Sequence, residues 1–81
     1  MRAFNQGAFV RVTVSPWDVY RFNQRWPGSC LEFGYSFTFD SRNGDLVDLT
    51  GSGDGTELTA LAQDAQNYAA RVLKMPSLAR R

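Results

Sequence analysis

Histidine is absent from this chain, and cysteine occurs once, at position 30. Without histidine, Ser–His and Cys–His nucleophilic systems cannot be assembled, and the commonest metal ligand is missing. A single cysteine closes no intrachain disulfide and builds no zinc site. Cys30 has no basic neighbour in sequence to activate it, so it reads as a small buried or half-buried side chain. No apolar run approaches the length of a membrane span. The opening MRAFNQG also lacks the hydrophobic stretch of a secretory signal. The expectation is a cytoplasmic protein with no membrane partner and no cofactor.

What is present is a small, ring-rich chain. Its 81 residues are 43% apolar and 14% aromatic, too hydrophobic for disorder and near the size where one core only just suffices. We therefore expect one domain, ordered over about 8–75, with a basic tail at 76–81. Large rings compensate for few residues, and a modest domain this rich in aromatics is a candidate homodimer. Neither an internal repeat nor a second domain is visible.

Hydrophobic periodicity supplies the elements. AFVRVTV (8–14) alternates and is rich in β-branched residues, as a strand is. SPWD follows: Ser15 suits a helix N-cap, Pro16 the first helical position and Asp18 the reciprocal acid of a capping box. That predicts a helix over 16–25, stopped by Pro27-Gly28. LEFGYSFTF (31–39) puts Leu31, Phe33, Tyr35, Phe37 and Phe39 on one face, a strand with one side buried. After it, a three-residue loop at Arg42-Asn43-Gly44 pairs Phe39 with Val47 and Phe37 with Leu49, with Gly44 in the left-handed position. Leu46 points the wrong way in that register. Beyond strand 45–50, Asp54 and Glu57 form a second capping-box pattern, and apolar residues at helical spacing predict a helix over 55–75. The order β-α-β-β-α implies an α+β domain: a right-handed crossover, then a hairpin, giving three strands covered by two helices on one face.

The glycine-rich GSGDG (51–55) meets several chemical tests and fails them. It lacks the third glycine of a dinucleotide loop and the Lys-Ser/Thr of a P-loop. A calcium loop from Asp48 would need a closing glutamate that is not there. It reads as a strand-to-helix connection. F-G-Y-S-F (33–37) echoes an RNA-recognition strand, but those rings are needed beneath the helices as core. Paired carboxylates could do acid–base work only inside a cleft, for which a domain this small has little room. We expect no enzyme.

The net charge of +1 conceals an uneven distribution. Asp40, Asp45, Asp48, Asp54, Glu57 and Asp64 face Arg42 alone, a local net of −5, while the rest carries +6. Such a segment is either a solvated, turn-rich edge or a surface for a basic partner, because carboxylates can occupy Lys/Arg contacts meant for phosphates. These six residues are the candidate partner-binding set. Arg11, Arg21, Arg25, Arg71 and the tail offer a second possibility, direct nucleic-acid binding. Trp26 reads as a packed corner; were it exposed, it would be a hot spot beside Arg25.

FNQRWPGS, FTFDSRNGDLVDL and DAQNYA together resemble short proteins encoded by phages and mobile elements of proteobacteria, over roughly residues 19–69. Among such proteins, anti-CRISPR proteins are the functional class brought to mind. The resemblance implies a non-enzymatic inhibitor in the bacterial host cytoplasm that binds a Cas effector subunit and blocks target DNA. No functional residue carries over from it. DNA-mimicking members of that class are strongly acidic throughout, so mimicry in this chain is confined to the −5 segment.

Overall fold

Ser15 and Asp18 start the first helix as their spacing dictates. In the computed structural model, which describes residues 1–32 and 34–74, the Asp18 N–H donates to Ser15 Oγ, and the Ser15 N–H and hydroxyl both donate to Asp18 Oδ2. The helix they cap, α1 (Pro16–Arg25), has the predicted bounds. Trp26 closes it in an extended conformation, with its N–H on the Phe22 carbonyl.

Four strands, β1 (Arg2–Asn5), β2 (Phe9–Val14), β3 (Tyr35–Asp40) and β4 (Leu46–Thr50), form one sheet in sequence order, every neighbouring pair antiparallel. Two features of the expected architecture are corrected here. The sheet has a fourth strand: β1 pairs with β2 through a tight turn in which Gly7 has φ 81° and donates to Asn5 Oδ1. There is also no crossover, because β2 and β3 run antiparallel, with Val14 opposite Tyr35. α1 rises about 15 Å over its ten residues, and the following loop carries the chain back to where it left the sheet. Handedness constrains only parallel pairs, so it does not apply.

That return loop explains why the third strand starts at Tyr35 rather than 31. Asn23 on α1 clamps Leu31 through both of its backbone groups, accepting the Leu31 N–H and donating to the Leu31 carbonyl at 2.8 Å. The Ser29 hydroxyl donates to the same Asn23 oxygen. Leu31 is therefore buried by loop packing and not by strand pairing. The predicted second helix ends at Leu73 and not at 75, because Lys74 turns left-handed at φ 56°. Phe33 and the tail at 76–81 lie outside the described residues.

The β3–β4 hairpin has Gly44 left-handed at φ 78°, as predicted, but its loop is Ser41–Gly44, one residue longer than expected. Asp40 and Asp45 close it, and the Gly44 N–H donates to the Asp40 carbonyl. Phe37 faces Leu49 as predicted; a bulge then slips the register so that Phe39 faces Leu46 and not Val47. The extra residue turns Leu46 to the core side and removes its conflict.

The second helix, α2 (Gly55–Leu73), lies over the inward face of the sheet. Leu61, Ala62, Ala65 and Ala69 share one core with Val10, Val12 and Val14 of β2, Tyr35, Phe37 and Phe39 of β3, and Val19 and Phe22 of α1. Small alanines allow the helix axis to approach the large rings, so each fully buried Phe contributes roughly 2–3 kcal/mol of burial. Both helices thus sit on one side of the sheet. Gln66 is also fully buried, and no buried side-chain polar atom lacks a partner among the described residues.

Candidate functional site

The six predicted carboxylates do not form one patch. Asp40 ends β3, and its carboxylate accepts the Arg42 backbone N–H at 2.8 Å and both Nε and Nη2 of the same residue. The Arg42 side-chain hydrogen bonds, then its backbone N–H, hold the Asp40 carboxyl below the ordinary aspartate value. Asp45 sits beside it across the hairpin mouth. Asp48 projects from β4 on the sheet's outer face, opposite Thr38. Asp54 caps α2 by accepting the Thr56 N–H at 2.9 Å, without the reciprocal bond expected from Glu57. Asp64 is remote from these, facing α1, where it binds Arg25 at 2.7 Å.

Asp40 and Asp45 therefore mark one end of β4, Asp54 and Glu57 follow its other end, and Asp48 lies between. A five-residue strand separates the ends by about 17 Å. Asp48 and Glu57 make no hydrogen bond or ion pair among the described residues. Asp40 on its turn, Asp54 on its helix and Asp64 across the helices all have work inside the molecule.

What these acids frame was not legible beforehand. β4 is, with β1, one of the two outer strands of the sheet, so one row of its backbone N–H and C=O groups has no neighbouring strand among the described residues. Leu46, Val47 and Leu49 on it are exposed at 39, 51 and 38%. Leu46 and Leu49 continue into a cavity of about 320 Å³ against α2, closed by Leu58 and Ala62. An apolar edge of this kind normally carries lysine, proline or a covering element to keep it unpaired. Here it carries one aspartate.

A second surface lies between α1 and α2. Trp17, Arg21 and Arg25 recur every four residues along α1, and Asp64, Tyr68 and Arg71 line the facing side of α2. They border an open furrow of about 690 Å³, with Met1 and Asp18 also lining it. Both carboxylates are neutralised in place: Asp64 by Arg25, and Asp18 by the Met1 ammonium. Burial raises the Asp18 carboxyl, but the bonds from Met1 and Ser15 outweigh it and leave it below 3.8. Arg21 has no ion pair or hydrogen bond among the described residues, and Arg71 lies 5.6 Å from the centre of the Tyr68 ring. Trp17 is 69% exposed and meets Tyr20 edge-on, at 5.9 Å.

The sequence reads Trp26 as a packed corner, but both indoles are exposed, and Trp17 is the more exposed of the two. Trp26 stacks on Phe22 at 5.5 Å, although 37% of it still reaches solvent. Trp17 was legible only as a first-turn residue beside a cap. The predicted arginines divide: Arg21, Arg25 and Arg71 share the furrow, while Arg11 stands on the outer sheet face opposite Phe4. Cys30 is exposed, not buried, because the loop after α1 turns it outward. Among the described residues, no three His, Cys, Asp or Glu side chains converge as a metal cluster, and no helix is long and apolar enough to cross a membrane. No family model, curated protein or solved structure matches this chain.

Proposed function

We propose that this chain is a small non-enzymatic inhibitor that docks on a basic protein surface through β4 and the start of α2. One observation carries the reading: an apolar edge strand, its outer side without a neighbouring strand among the described residues, framed by Asp45, Asp48, Asp54 and Glu57. Leu46, Val47 and Leu49 supply the desolvated centre that makes an interface hold, and the surrounding carboxylates select a positive partner and speed its approach. A Lys/Arg surface built for nucleic acid fits that description, since carboxylates there displace phosphates from the same contacts. A Cas effector subunit in a bacterial host is the partner suggested by the phage-like segments, with blockage of target DNA as the outcome.

The test is a plaque assay in bacteria whose CRISPR system targets the infecting phage, run over several system types, with and without this chain. Expression should restore plaques, and the chain should co-purify with an effector subunit. Charge reversal of Asp45, Asp48 and Glu57 together should abolish both while leaving the circular dichroism spectrum unchanged. Val47→Lys, which adds one cation to the apolar edge, should weaken capture on its own. Full activity in the triple variant removes the acidic frame from the explanation, and full activity in V47K removes the edge. The same apolar edge could pair with a second copy, so sedimentation of wild type and V47K decides whether a homodimer competes with the partner.

A further inference from the structure

We infer that the furrow between α1 and α2 is a binding site for single-stranded nucleic acid, with a base stacked on Trp17 and phosphates held by Arg21, Arg25 and Arg71. This rests on a different surface from the docking edge and stands or falls separately.

Three observations support it. The first is Trp17 itself. An indole exposed at 69% on a capped first turn does nothing for the core, and its edge-to-face contact with Tyr20 leaves at least one ring face open. Aromatic faces presented this way accept any base, whatever its sequence. The second is charge: three guanidiniums and the Met1 ammonium line the furrow against two carboxylates. The Arg25–Asp64 and Met1–Asp18 pairs leave Arg21 and Arg71 in excess, and Arg25 can reach a phosphate with the donors Asp64 does not use. Arg21 is uncommitted, and Arg71 is held over Tyr68, where its forked donors remain available to a phosphate. The third is alignment. Trp17, Arg21 and Arg25 occupy consecutive turns of one helix face, spanning about 12 Å, which suits a strand running along the helix with its bases turned toward Trp17. A duplex keeps its bases inside and offers Trp17 nothing to stack on. The ligand class is therefore single-stranded DNA or RNA, read without strong sequence preference.

Fluorescence anisotropy with a labelled oligo-dT of about 12 nucleotides, a length within single-strand site sizes, tests this across a salt series. Three phosphate contacts predict a slope of about −2 in log affinity against log salt, at roughly −0.7 per contact on single strands. Arg21→Gln with Arg71→Gln should bring that slope near −0.7. Trp17→Ala should weaken binding at least about fivefold while leaving the slope unchanged. Arg2→Gln with Arg11→Gln, on the outer sheet face, should change neither slope nor stacking. All three sets are exposed, so each variant should melt like the wild type. No anisotropy change in low salt overturns the inference. So does a duplex, or a poly-glutamate chain, binding as tightly as oligo-dT. Loss of binding in R2Q/R11Q with W17A intact moves the site to the sheet and also overturns it.

Discussion

Gly51→Ala and Gly55→Ala should move stability in opposite directions although only four positions apart. At Gly51 the backbone has φ 124°, and an added Cβ would stand 2.3 Å from Tyr35 Cδ1 and 2.7 Å from Cε1. That ring cannot swing away. It is 3% exposed, and its hydroxyl donates to the Ser52 carbonyl at 2.6 Å and accepts the Glu32 N–H. Left-handed strain costs about 1–2 kcal/mol and forced overpacking about 1–3, so Gly51→Ala should lose roughly 2–5 kcal/mol. At about 4 °C or more per kcal/mol for a domain of this size, Tm should fall by at least about 8 °C. Gly55 opens α2 with nothing within 4 Å of its would-be Cβ, so alanine there should gain up to about 1 kcal/mol. Gly53 falls between them, because its Cβ would meet the free end of Leu31, 2.6 Å from Cδ2. Thermal melts by far-UV circular dichroism, with urea titrations for the free energies, rank the three variants. Wild-type melting of Gly51→Ala would refute the packing of this connection, as would an equal loss at Gly55.

Two further variants probe the helix cap and the core. Asp18→Asn should cost about 1 kcal/mol at neutral pH, the ordinary worth of a charged cap. Because the folded carboxyl is held below 3.8, that stabilisation is present above 3.8 and disappears as pH falls through the lowered value. The gap between wild type and variant should therefore close in acid; a gap that persists unchanged contradicts the assigned ion pair. Phe37→Ala empties a fully buried ring site opposite Leu49 and should cost about 3–5 kcal/mol, measured by urea midpoint, while Phe37→Leu should cost far less. A small effect of Phe37→Ala would mean that the rings of β3 are not the centre of the core.

Local chemistry was readable where it is self-contained. Ser15, Pro16 and Asp18 defined α1 to the residue, since a capping box depends on nothing outside one turn. The left-handed Gly44 follows from the Asn43-Gly44 turn chemistry and strand phase, although the loop around it is one residue longer than phase predicts. β1 is not legible because Arg-Ala-Phe-Asn offers one apolar inward residue, Ala3, and forms a strand only by lying against β2. The bulge that reorients Leu46 also arises from pairing and not from composition. In the candidate surfaces, charges could be counted but not located. Asp64 belongs with Arg25 across two helices, and no spacing between residues 25 and 64 announces it. The exposure of Leu46, Val47 and Leu49 follows from β4 being last in the sheet, a fact of topology.

The long connection from Ser15 to Gly34 departs from β2 and returns to the adjoining end of β3. Closing it costs only about 1.4 kcal/mol more than a four-residue turn, and doubling its length would add about 0.6. The meander is therefore nearly indifferent to the length of what is threaded between Val14 and Tyr35, provided Val19, Phe22 and Leu31 still reach the core. Selection could rewrite the exposed face of α1, with Trp17, Arg21 and Arg25, while Val19 and Phe22 on its other face stay tied to the core and the strand pairing and β4 edge stay as they are. The molecule has one surface free to drift quickly and another tied to the frame that folds it.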